Sequence, residues 1–236
     1  MKLLGILGGM SWTSTAEYYR MLNELVARER GGLHSARLLL HSVDFAQVVA
    51  MQKVGEWGAA GTLLADAARG LERAGAQGLI VATNTMHKVA EAIEVTVSIP
   101  LLHIADATGE RIRAAGLTRV GLLATAFTME QDFYTGRLAQ KYGLEVIVPE
   151  TDERAEVHRI IFDELCQNAL RPESRETYRR IMAGLVGRGA QGIILGCTEI
   201  TLLVGAQDTT VPVFDTTRIH AEDAVRWMLN DATPQH

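Results

Sequence analysis

The chain of 236 residues has 23 basic and 28 acidic side chains, a formal charge of −5, and 47% hydrophobic against 22% charged residues. This is globular composition, which excludes a disordered chain, and at roughly 150 residues per domain the length suits one large domain or two small ones. The acidic balance argues against a non-specific binder of nucleic acid or anionic membrane, which needs basic patches, and no apolar stretch reaches the roughly 18 to 20 residues that cross a bilayer.

The elements alternate along the chain. Leu3–Leu7 reads as a buried strand ended by Gly8-Gly9, and not as a signal peptide. Trp12 to about Glu29 reads as a helix, Ala36–Val43 as a strand, Thr62–Ala74 as an amphipathic helix and Gly78–Ala82 as a strand. Short strands follow at Ile99–Ile104, Val120–Leu123, Leu144–Val148, Ile193–Leu195 and Val211–Phe214. Strands alternating with helices imply an α/β fold with parallel sheets and right-handed crossovers.

The two halves repeat each other. Gly70-Leu71 with Gly75-Ala76-Gln77-Gly78-Leu79-Ile80 aligns with Gly184-Leu185 and Gly189-Ala190-Gln191-Gly192-Ile193-Ile194 at an offset of 114, with seven of eleven positions from Gly70 to Ile80 identical. At nearly the same offset, Gly5-Ile6-Leu7-Gly8 matches Gly121-Leu122-Leu123-Ala124. Thr13 with Tyr18-Tyr19 matches Thr128 with Phe133-Tyr134, and Pro100-Leu101-Leu102-His103 matches Pro212-Val213-Phe214-Asp215. Four pairs in the same order imply two pseudo-symmetric α/β domains, expected at 1–98 plus 209–236 and at 99–208. The natural ligand site in such an arrangement is the cleft where strand ends from both halves meet.

The repeated strands end at Thr83-Asn84-Thr85 and Cys197-Thr198-Glu199. Ser, Thr and Asn there serve as helix caps; alternatively, N–H groups at two helix starts hold a carboxylate, with Thr83 and Cys197 face to face across the cleft. Of the two cysteines, too few for a disulfide scaffold and suited to a cytoplasmic thiol protein, Cys197 is the candidate for chemistry. It closes a buried strand beside a helix start, where the dipole is expected to lower its pKa. Cys166 shares a helical face with Phe162 and reads as a core residue.

The segments Gly5–Trp12, Thr83-Asn84-Thr85-Met86-His87, Gly196-Cys197-Thr198-Glu199 and Phe214–Glu222 together resemble the aspartate/glutamate racemases that work without pyridoxal phosphate. The resemblance spans nearly the whole chain. It implies two pseudo-symmetric α/β domains, a site between them, a homodimer, no cofactor, no metal and a small amino-acid substrate. It also implies a two-base mechanism in which thiols on opposite faces remove and return the α-proton. Here the second thiol is Cys197, whereas the first position is Thr83, a pattern that looks like the branch specific for L-aspartate or L-glutamate. Thr83 then donates or relays a proton and Cys197 is the base. Such chemistry needs donors to the α-carboxylate, for which Asn84, Thr85 and Thr198 are the natural candidates, while Glu199 accepts from the α-ammonium, orients Cys197 or is only a dipole-matching acid at a helix start. By the same resemblance Met10 becomes a substrate contact, and Gln52, which on its own reads as a solvated helix residue, becomes a recognition group for the side-chain carboxylate. His87 faces the pocket or makes a core contact. Arg154 or Arg159 stands in for a lysine that other members use on the distal carboxylate.

Other readings are weaker. Gly5, Gly8 and Gly9 do not make the G-x-G-x-x-G pattern of a dinucleotide site. The nearest approach to a metal set is His220 with Glu222 and Asp223. None of the four lysines ends a strand at the expected cleft, where a pyridoxal Schiff base would need one. A one-thiol decarboxylase or isomerase, and a non-catalytic amino-acid-binding protein, remain as alternatives.

Overall fold

The computed structural model describes residues 1–230, which form an α/β fold of two units. The first comprises Met1–Ile104 and the chain from His220 onward; the second is Ala105–Ile219.

In the first unit the sheet is built from β1 (Leu4–Gly8), β2 (Leu38–Ser42) and β3 (Gly78–Val81), in the order β2-β1-β3 and all parallel. Between them run α1 (Trp12–Arg30), α2 (Phe45–Val54) and α3 (Trp57–Arg73). Side chains alternate across a strand, so β1 and β3 feed two cores. Leu7, Leu79 and Val81 pack with Leu64, Ala68 and Leu71 of α3. Leu4, Ile6 and Ile80 pack on the other face with Tyr18, Leu22 and Val26 of α1 and with Val225 and Met228. Burial on both faces is why these strands read as unbroken apolar runs. After β3 come a 3₁₀ turn (Thr85–Val89) and the short α4 (Ala90–Glu94).

The second unit opens with α5 (Ile104–Ala114), whose first residue still belongs to the first unit. Its strands are β4 (Arg119–Leu123), β5 (Glu145–Ile147), β6 (Ile193–Leu195) and β7 (Val213–Asp215), in the parallel order β5-β4-β6-β7. The helices are α6 (Ala126–Glu130), α7 (Asp132–Tyr142), α8 (Thr151–Asp163), α9 (Pro172–Gly187), the single turn α10 (Ile200–Leu203), and α11 (Thr216–Leu229), which returns the chain to the first unit.

The sequence repeat has a physical basis. Gly75 and Gly189 end α3 and α9 with φ of +97° and +95°, a region that L side chains avoid. The next residues, Ala76 and Ala190, each donate N–H back to Leu71 and Leu185 at 3.0 Å. Gln77 Oε1 then accepts from Leu3 N–H, and Gln191 Oε1 from Thr118 N–H, each at 2.9 Å. Each glutamine thus fixes its own central strand to the helix that precedes it.

Several expectations shift. The strand expected at Ile99–Ile104 is one parallel bridge, Leu79↔Leu101, because Ile104 already opens α5. The helix expected at Thr62–Ala74 begins five residues earlier, and α2 had no counterpart in the reading of the sequence. Both domain boundaries also move. Residues 99–104 stay with the first unit through the bridge to Leu79, and 209–219 belong to the second because β7 pairs with β6. Residues 231–236 of the segment expected to join the first domain lie outside the described residues.

Candidate active site

In the first unit the site residues gather around the end of β3. Thr83 is half-buried two residues past the strand, and Asn84, Thr85 and Met86 are buried behind it. Ser14 of α1 donates its hydroxyl to Ala82 O at 3.3 Å, holding the strand end. Met10 follows the tight turn at Gly9, whose φ is +89° and where any Cβ would collide with the Val43 carbonyl. Met10 is buried in the cluster that includes Val48 and Met86. Gln52, read from the sequence as a solvated helix residue apart from the resemblance, is buried, and its Nε2 donates to Met86 Sδ at 3.1 Å. The structure therefore brings Met10, Gln52 and the Thr83–Met86 turn into one unit.

His87, one turn further on, is buried, and its ring makes a core contact with the backbone, the second of the two expected placements. Its Nδ1–H donates to Thr83 O at 2.8 Å, and its Nε2 accepts from Ile104 N–H at 3.3 Å. Burial above all, with His103 and His220 nearby, holds it well below the usual imidazole range, so it is neutral.

In the second unit Cys197 is half-buried two residues past β6. Thr216 donates its hydroxyl to Leu195 O at 2.9 Å, the counterpart of the Ser14 bond. Cys197 donates its thiol to Glu199 Oε2 at 3.0 Å. Burial first, and then the neighbouring carboxylate, push this thiol well above its ordinary range. The expected dipole-lowered pKa is thus corrected. The helix that follows is a single turn, too short to carry much dipole, and the site is desolvated and acidic. Thr198 Oγ1 lies 3.0 Å from Thr217 Oγ1. Asp215 Oδ1 accepts from the N–H groups of Thr217 and Arg218, fixing that turn. Thr217, which the reading of the sequence did not single out, is thus the hydroxyl partner of Thr198.

Two further expectations change. Cys166 is exposed, not core. α8 ends at Asp163 and the chain turns through Leu165–Gln167, so Glu164 takes the inward place instead. There it accepts from Ser174 Oγ at 2.5 Å and from Arg159 at 2.9 Å. Arg154 and Arg159 both face carboxylates: Arg154 pairs with Glu130 at 3.0 Å, and Arg159 bridges Glu156 and Glu164. His220 is fully buried, with Nδ1 2.8 Å from Tyr18 Oη. Among the described residues, no three His, Cys, Asp or Glu side chains gather as a metal would require. No helix among them is long and apolar enough to cross a membrane.

The model of the Asp/Glu/hydantoin racemase family matches residues 7–224, so the chain belongs to that family. It is by family an amino-acid racemase, an isomerase. A Yersinia pestis crystal structure described as an Asp/Glu racemase is 54% identical, with a TM-score of 0.93 over 97% of this chain and 100% of its own. A structure of an aspartate racemase homologue from Pyrococcus horikoshii OT3 is 36% identical, with a TM-score of 0.84 over 97% and 99% of the two chains. Picrophilus torridus aspartate racemase, at 21% identity and a TM-score of 0.74 over 97% and 94%, shares the fold.

Proposed function

We propose that the chain racemises a dicarboxylic amino acid, aspartate or glutamate, starting from the L-enantiomer and using no cofactor. The observation that carries this reading is the equivalence of Thr83 and Cys197. Each stands two residues past a matched strand, β3 or β6, and in each unit a hydroxyl, from Ser14 or Thr216, ties down the strand end. In this reading the two groups address opposite faces of one stereocentre.

The thiol proton leaves to solvent by way of Glu199 as the substrate ammonium enters, whose positive charge stabilises the thiolate left behind. The Cys197 thiolate then removes the α-proton. Asn84, Thr85 and Thr198 donate to the α-carboxylate and stabilise the enediolate, and the Thr83 hydroxyl supplies a proton to the opposite face. Solvent restores the Thr83 proton. A positioned base contributes about 3 to 5 kcal/mol, so most of the barrier reduction falls to the carboxylate donors. Met10 and Gln52 contact the substrate, Gln52 at the distal carboxylate. Thr83 is a poor base, so at saturation the L-substrate turns over faster than the D-substrate, while kcat/KM is the same for both because the equilibrium stays at unity. The working form is a cytoplasmic homodimer, which light scattering checks.

The deciding experiment incubates the metal-free protein with L-aspartate or L-glutamate in D₂O. α-Deuteration together with the D-isomer is expected; binding without exchange, or release of carbon dioxide from an arylmalonate in place of exchange, would overturn the reading. Cys197→Ser should abolish both exchange and racemisation. Thr83→Ala should reduce racemisation more than exchange, and equal losses would contradict the division of roles.

A further inference from the structure

We infer that His87 is a positioning residue that aims the Thr83 hydroxyl, fixing the β3 turn to the start of α5 through its two ring nitrogens. The inference rests on the role proposed for Thr83. His87 is only 2% exposed, and both of its ring nitrogens are engaged by backbone groups. Its Nδ1–H holds the carbonyl of Thr83 itself, and its Nε2 accepts from Ile104 N–H. A single neutral tautomer satisfies both bonds; an imidazolium would turn an N–H toward the Ile104 donor.

The far side of this link is anchored as well. His220 Nε2–H donates to Leu102 O at 2.8 Å, and Tyr18 Oη donates to His220 Nδ1. The His87 ring lies 4.5 Å from the ring of His103 and 5.9 Å, edge-on, from that of His220. The segment Leu102–Ile104 is thus held by two imidazoles, and one of them carries the position of the backbone at Thr83. Cys197 lies in the other unit and has no part in this chain of bonds.

The separation supplies the readout. Exchange with retention needs only the Cys197 face, whereas racemisation needs Thr83 as well. In His87→Ala, racemisation of L-aspartate and L-glutamate should fall about 10- to 100-fold, the scale set by ångström misplacement of a reacting group. Exchange with retention in D₂O should stay near wild type. An Asn amide nitrogen falls near the Nδ1 position of His, so His87→Asn should restore most of the racemisation. A Gln side chain reaches the Nε2 position and loses the Thr83 bond, so His87→Gln should restore less. Equal loss of exchange and racemisation in His87→Ala overturns the inference. So does equal activity of the Asn and Gln variants, a comparison that stands even if the Ala variant fails to fold. Thr83→Ala separates the two readings. If it leaves the ratio of racemisation to exchange unchanged, the role of Thr83 fails; if it shifts that ratio and His87→Ala does not, only the positioning role fails.

Discussion

Neutralising Glu199 should move the ionisation of Cys197 to lower pH. The thiol donates to Glu199 Oε2 at 3.0 Å, so a thiolate would face a carboxylate across that distance. Two unit charges about 3 Å apart interact by roughly 5 kcal/mol at an effective dielectric near 20. That is an upper bound, because the carboxylate charge is spread over two oxygens and solvent reaches a half-buried residue. Neighbouring like charges shift a pKa by about 1 to 3 units in practice. The repulsion disfavours the charged form of the thiol, so Glu199→Gln lowers its pKa. Burial, the larger cause of the upward shift, persists, and the thiol stays above its ordinary range. The assay is the rate of alkylation by iodoacetamide against pH, in a Cys166→Ser background because Cys166 is exposed. The midpoint should fall by about 1 to 3 pH units. An unchanged midpoint would show that Glu199 does not set the state of the thiol, and the assay needs no racemase activity to give that answer.

Other consequences are open to measurement. Burial lowers His220 to about 4 and also holds His87 well below the usual imidazole range. Unfolded histidines take up protons below about 6.5 and these two do not, so stability is complete above that pH and is lost on acidification toward 4, by roughly 3 kcal/mol for His220 alone. Urea midpoints of wild type should therefore fall more steeply with acid than those of His220→Gln, and parallel curves would refute the assignment. Gly75→Ala and Gly189→Ala each force a side chain into positive φ and should cost about 1 to 2 kcal/mol. The two losses should add, since the residues lie in different units and share no hydrogen-bond partner, and a double-mutant denaturation series tests this. Thr83→Cys should raise the saturating rate on the D-substrate, with kcat/KM rising equally for both enantiomers because the equilibrium is at unity; a failure to gain would count against the two-face arrangement.

The repeat was legible because its residues do mechanical work that few others do. Gly75 and Gly189 need positive φ, and Gln77 and Gln191 must reach a neighbouring strand, so the letters persist in both halves. Strands buried on both faces announced themselves as apolar runs. The boundaries were harder to read, because the pairing of Val213–Asp215 with β6 is a long-range choice that no local pattern encodes. Cys166 was misplaced by extending a helical period past Asp163, where the chain leaves the helix. Gln52 looked solvated because helical spacing says nothing of what packs over a polar position. The Cys197 thiol was misjudged because the sequence does not reveal that α10 is one turn long or that Glu199 turns back onto the sulfur.

The paired glutamines show a division of labour along the chain. Whatever sets strand register was kept in duplicate, while the residue two places past each strand was free to differ, a hydroxyl in one half and a thiol in the other. The side chain at each strand tip can therefore be exchanged without touching the bonds that hold the frame beneath it.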